Sequence, residues 1–226
     1  MNETLKITTL SLALAGISGL TACGGGGGSD SSTATPGNTI TSGVITGFGS
    51  VFVDGVEFET DDSRFSLDDG DDGPEDEDGL AVGMVVTVTG TVNADGVTGT
   101  ARHIEFDDEL EGIVNDTSID ADGTGSMTVM GQTVIVQSTT VFESDVAGIG
   151  SMVDVAAGNV VEVSGFSSGD GTVYATRLEV KLAAHAGEEI EVKGVIAALA
   201  ANTFELGGLT VDFSSAAFDD SIPDST

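Results

Sequence analysis

Beyond residue 39 the chain alternates apolar and polar positions with the two-residue period of half-buried strands. Three stretches share one form: Val53-Asp54-Gly55-Val56-Glu57-Phe58, Val129-Met130-Gly131-Gln132-Thr133-Val134 and Leu206-Gly207-Gly208-Leu209-Thr210-Val211. In each, alternating arms flank a turn that contains Gly, which predicts a β-hairpin. Ahead of each hairpin stands a similar opening, Gly43-Val44-Ile45, Gly112-Ile113-Val114 and Gly194-Val195-Ile196. The first two units continue in parallel. Gly83 to Gly90 matches Gly158 to Gly165, so Val86 and Val88 correspond to Val161 and Val163 as the inward positions, and Ala101 to Phe106 lies over Ala175 to Val180. The repeat is about 75 residues long and nearly all strand.

These patterns predict an all-β fold of tandem small Greek-key (OB-like) β-barrels or compact sandwiches. The barrel is preferred, because closure removes the edges that strands rich in Val would otherwise expose. The units are placed at 39–111, 112–182 and 183–226, the last being partial: either the chain is a fragment or this half-unit completes a sheet of its neighbour. Helix is expected only as a turn or two over Leu182 to Glu191 and Ala197 to Ala201.

The Gly-Val-Ile opening, the Val53-Asp54-Gly55-Val56 hairpin, the Leu80-Ala81-Val82-Gly83-Met84-Val85-Val86 segment and the Ala175-Thr176-Arg177 strand resemble the bacterial domain of unknown function 5666. That resemblance covers about Gly43 to Val180 and part of the tail. It implies tandem domains in envelope lipoproteins with Gly-rich tethers, and it brings no catalytic set.

The amino-terminal region follows a different pattern. Met1 to Lys6 carries the free amine and Lys6, diluted by Glu3, and Ile7 to Leu20 is an apolar run too short to span a bilayer comfortably. Residues 1–22 therefore read as a cleaved secretory signal. Leu20-Thr21-Ala22-Cys23 resembles the lipobox of bacterial lipoproteins, which implies lipidation of Cys23. The Gly24 to Gly28 tract and the serines after it make 23–38 a flexible tether. By the same resemblance, Gly24 behind the cysteine points to the outer membrane rather than inner-membrane retention. A free thiol behind an ordinary cleavage site is the plainer alternative for Cys23.

Charge narrows the partners. Thirty-eight Asp and Glu stand against six Lys and Arg, a net charge of −32 that repels phosphate backbones, so nucleic acid is excluded as a partner. The densest acidic run is Asp68, Asp69, Asp71, Asp72, Glu75, Asp76, Glu77 and Asp78. Calcium takes six to eight oxygen ligands, and these acids with Gly70 and Gly73 supply the ingredients but not the spacing of an EF-hand loop. A solvated loop is the favoured reading. Asp107-Asp108-Glu109 with Glu111 reads as a hydrated inter-domain connection, and Asp120 and Asp122 as turn residues.

Catalytic candidates are few. His103 occupies the position of Arg177 in the next unit, which suggests a solvent face, and His185 lies in a small-residue stretch. Arg102, Arg177 and Lys181 suit cross-strand pairing with acidic neighbours. Trp is absent and Tyr174 is the sole tyrosine, so stacking platforms are not evident. The reading that follows is a lipid-anchored module with no catalytic residues and no cofactor, held to the membrane through Cys23 and binding an envelope protein or glycan, or serving a structural role. The alternatives are a calcium-dependent surface or adhesion protein and, with least support, a carbohydrate-active hydrolase.

Overall fold

A computed structural model describes residues 39–67, 76–187 and 190–216. The first unit contains β1 (Thr39–Gly47), β2 (Val51–Val53), β3 (Val56–Glu59), β4 (Arg64–Ser66), β5 (Val85–Val92) and β6 (Thr98–Phe106). Their order is β3-β2-β1-β5-β6, and β3 returns to pair with β6 in parallel, closing a five-stranded barrel. β4 then continues along the same edge of β6, at His103 to Glu105. The second unit repeats this with β7 (Leu110–Ile119), β8 (Gly125–Val129), β9 (Gln132–Val136), β10 (Val141–Ser144), β11 (Val160–Ser167) and β12 (Thr172–Leu182). Here β9 closes on β12, and β10 extends that edge. The tandem Greek-key barrels predicted from alternation are the observed fold.

The predicted alternation sets the cores. Val86, Val88 and Ile104 fill the first barrel with Ile45, Val53 and Phe58, while Val161, Val163 and Leu178 fill the second with Val114, Val129 and Val134. The hairpin turns take positive φ at both central residues, Asp54 (50°) with Gly55 (78°) and Met130 (46°) with Gly131 (76°), matching the twist of the flanking strands. Each barrel also bends at a β-bulge beside one glycine. A Cβ on Gly90 would lie 2.2 Å from the Thr100 carbonyl oxygen, and one on Gly165 2.4 Å from that of Tyr174. Only a residue without a side chain lets the paired backbones approach so closely.

The third segment forms β13 (Glu191–Val192), β14 (Ile196–Ala197), β15 (Thr203–Leu206) and β16 (Leu209–Asp212). β13 adds to the edge of β7, whereas β14, β15 and β16 make a sheet of their own. That sheet is not independent. Phe204, Leu206 and Val211 join the buried cluster of the second barrel, Gly208 N–H donates to the Gly131 carbonyl at 3.0 Å, and the Gln132 amide donates to the Leu206 carbonyl at 2.6 Å. Only β13 completes a sheet of the neighbouring unit, and β14, β15 and β16 pack on its core as a separate sheet.

Helix departs from expectation. The described parts of Leu182 to Glu191 and Ala197 to Ala201 hold none, and the helical turns lie instead at Glu77–Gly79 and Met152–Asp154, in the connection before β5 and before β11. Each is one 3₁₀ turn, too short to bury a face of its own. No described helix is long and apolar enough to cross a membrane.

Candidate functional site

The acidic run is only partly described. Cys23, with the predicted signal and tether, lies outside the described residues, as do Asp68, Asp69, Asp71, Asp72 and Glu75. Asp76 caps the 3₁₀ turn by accepting from Asp78 N–H at 3.0 Å, and Glu77 accepts from the Thr60 hydroxyl. Together with Asp61 and Phe65, these residues line an open depression. Among the described residues, no group of three or more His, Cys, Asp or Glu side chains is placed to hold a metal ion. Asp76 and Glu77 are engaged in local hydrogen bonds. Asp120 and Asp122 flank a turn as expected, with Asp122 accepting from Thr124 N–H at 3.0 Å.

A more ordered set of carboxylates crosses the second barrel. Glu143 on β10 pairs with Glu179 on β12, which pairs with Glu162 on β11, then Glu111 on β7 and Glu191 on β13. Residues in direct register project from the same face, so five strands carry one row of glutamates. The corresponding row of the first barrel is Ser66, Glu105, Thr87 and Ser42, with a single carboxylate. Like charges directly opposite each other are unfavourable, and the second barrel offsets them with cations on the same face.

Three of the chain's six cations serve that row. Arg177 bonds Glu143 and, at 3.1 Å, Glu179, and it reaches the Val82 carbonyl of the first unit at 3.3 Å. Lys181 lies 3.1 Å from Glu162 and 3.6 Å from Glu179. Lys193 bonds Asp107 and lies 3.1 Å from Asp108 and 3.6 Å from Glu191. Arg177 and Lys181 thus follow the cross-strand pairing expected of them. The solvent-face expectation fails for Arg177, which is 4% exposed because the Val82-Gly83 turn of the other unit covers it. Asp107 to Glu109 is likewise no simple hydrated connection: Asp108 is buried and ion-paired to Lys193.

Burial and pairing set the electrostatics. Burial raises the Glu162 carboxyl above the ordinary glutamate range, with Lys181 opposing the rise and Glu179 adding to it. Glu109 is raised in the same way, again by burial first. Burial works against charge on Lys193, yet Asp108, Asp107 and Glu191 outweigh it and hold the ammonium above the usual lysine range. Next to the row, Ser164 Oγ and Arg177 Nε are buried without hydrogen-bond partners. The two residues face each other across β11 and β12. His103 stands half-buried on β6 opposite Thr89 and Arg64, and His185 half-buried beyond β12.

Residues 39–105 and again 111–179 match the family described as Domain of unknown function (DUF5666). The chain belongs to that family. Each DUF5666 copy coincides with one barrel, and the sheet of β14, β15 and β16 lies outside both matches. No curated protein and no solved structure matches the chain. Within the DUF5666 pair, Glu111, Glu143, Glu162, Glu179 and the buried Arg177 belong to the second copy, and Lys181, Glu191 and Lys193 follow it. Sequence reasoning missed the row because no two of its members are neighbours in the chain; the one advance signal was the clustering of Arg177, Lys181 and Lys193 within one short stretch.

Proposed function

We propose that this chain is a lipid-anchored lipoprotein of the bacterial outer membrane whose paired barrels serve a non-enzymatic binding or structural role. The observation that carries the reading is the placement of the sole cysteine, Cys23, directly behind Thr21-Ala22 and an apolar run, and ahead of a Gly/Ser tract. Several acyl chains on one residue hold a protein durably to a bilayer, whereas one chain binds only marginally. The described body is consistent with a scaffold: Arg177, Lys181 and Lys193 are each engaged by carboxylates, Arg177 also reaches the Val82 carbonyl of the first unit, and Lys193 ties the third segment to the joint between the barrels.

The test is fractionation with mass spectrometry of the Cys23 peptide. Wild-type protein is expected in the outer-membrane fraction with an acylated amino-terminal cysteine, and Cys23→Ala is expected unprocessed or soluble. Retention of a processed Cys23→Ala protein in that fraction would refute the anchor. A calcium-dependent surface role is the second reading, resting on the eight carboxylates between Asp68 and Asp78 in the sequence.

A further inference from the structure

The second barrel has a face unlike the rest of the chain. On the outside of β8, β9, β12 and β11, one row runs Ser126, Ile135, Tyr174, Phe166 in direct register. The neighbouring row carries Thr172, Thr133 and Thr128 and ends at Asp116 on β7. Gly123 to Phe142 contains no charged residue, and Val163 to Thr176 contains only Asp170. Asp170 is spent in the hairpin turn, where it accepts from the Ser168 hydroxyl at 2.6 Å and from Thr172 N–H at 3.0 Å. In a chain of net charge −32, the part of this face on β8, β9, β11 and β12 is uncharged and made of hydroxyls, Ile135 and two aromatic rings, with Asp116 at its β7 edge.

The rings are open to solvent, Phe166 at 48% and Tyr174 at 47% exposure. Directly paired residues place their Cβ atoms about 5 Å apart, so one ligand can touch both rings. Core packing does not account for them. The corresponding pair in the first barrel is Thr91 and Thr100, at the same step beyond the bulge glycine, and that barrel closes without aromatics there. Exposed rings on a scaffold that does not need them point to a partner.

We propose that this face binds an uncharged glycan, with Tyr174 and Phe166 as stacking platform and the surrounding Ser and Thr hydroxyls as hydrogen-bonding rim. The proposal deepens the binding role proposed above by naming the partner's chemistry. A sugar ring offers apolar C–H faces to an aromatic ring and hydroxyls to the rim, which matches the two components of this surface. Charge selects among glycans and other occupants. An acidic polysaccharide, or a second copy of this chain, would bring negative charge against a strongly negative body, whereas a neutral glycan meets no such field.

Tyr174 makes the test direct, because the chain has no Trp and no other Tyr, so its intrinsic emission reports this face alone. Full-length protein, purified in a detergent free of sugar and aromatic groups, is titrated with cello-, malto-, laminari- and N-acetylchito-hexaose, and with an oligogalacturonate of the same length as anionic counter-probe. The expected result is a saturable emission change with at least one neutral hexamer and none with the anionic one. Phe166→Ala, which retains the Tyr174 signal, is expected to weaken that binding about tenfold. Thr91→Ala, on the corresponding face of the first barrel, leaves it unchanged. No response to any neutral hexamer, an equal response to the oligogalacturonate, or a concentration-dependent self-association seen by sedimentation that alone moves the emission would each overturn the proposal. The result is independent of the anchor, since a protein that proves soluble is titrated in the same way.

Discussion

Replacing Arg177 with Met removes the charge but keeps most of the side chain's length. The guanidinium is 5% exposed and bonds Glu143, Glu179 and the Val82 carbonyl, so the substitution leaves two carboxylates without their counter-charge and one carbonyl without a donor. Breaking a fully buried pair costs about 3–5 kcal/mol. Glu143 is 52% exposed, however, and regains water, whereas Glu179 at 26% regains less. Screening at the first and partial burial at the second bring the expected loss to about 2–3 kcal/mol. For a body of this length that corresponds to a fall in Tm of about 5–10 °C. Two probes make the experiment specific. Tyr174 emission reports the second barrel, while far-UV circular dichroism reports the strands of both. In the wild-type protein the two urea transitions are expected to coincide. In Arg177→Met the Tyr174 transition moves to lower urea and the two curves separate, because the link to the Val82-Gly83 turn is gone. A shift under about 0.5 kcal/mol, or curves that move together, would refute the reasoning.

Five further outcomes follow from the structure. Because Glu162 and Glu109 are raised by burial, the folded state binds protons more tightly there than the unfolded chain; stability therefore rises as pH falls through their folded values toward the ordinary glutamate value, and melts at about pH 5 are expected above those at about pH 8, with Glu162→Gln flattening the slope. Below that window Asp95, Asp122, Asp154, Asp170 and Asp212, all lowered by turn hydrogen bonds, act in the opposite sense, and stability declines as acid reaches their folded values. Ser164→Ala, which removes a buried hydroxyl with no partner, is expected to be neutral or to stabilise by up to about 1 kcal/mol in denaturant melts; a loss of that size would show that the hydroxyl is bonded. Gly165→Ala drives a Cβ onto the Tyr174 carbonyl and is expected to cost about 1–3 kcal/mol by the same assay. Millimolar calcium and magnesium are expected to shift Tm alike through screening, and a saturable effect of calcium alone would favour the calcium reading of the acidic loop.

The fold was legible where the determinants are local. A Gly-containing turn between alternating arms specifies a hairpin within a few residues, and the valine alternation of Val86, Val88, Val161 and Val163 marks an inward face without knowledge of the partner strand. What alternation lacks is the partner. The parallel return of β3 and β4 onto β6, the glutamate row and the burial of Arg177 all depend on registers between strands far apart in sequence. His103 and Arg177 share a position in the repeat, yet only the second meets a turn from the other barrel. Scarcity of aromatic residues concealed the proposed glycan face for the same reason: Phe166 and Tyr174 become a pair only once β11 and β12 are aligned. The absence of charge from Gly123 to Phe142 was the signal in the sequence, and it stands out only against the net charge of the whole.

The Lys193 clamp also orders events in time. Its ammonium locks onto Asp107 and Asp108, 86 and 85 residues earlier, at the joint between the two barrels. A chain emerging amino end first presents that joint with its carboxylates uncompensated and the edge of β7 unpaired on one side until β13 appears. The second barrel therefore reaches its final form only when the third segment arrives, and that arrival seals three successive pieces of chain at one point. Folding of the described body ends in a latch, and the latch is a single lysine.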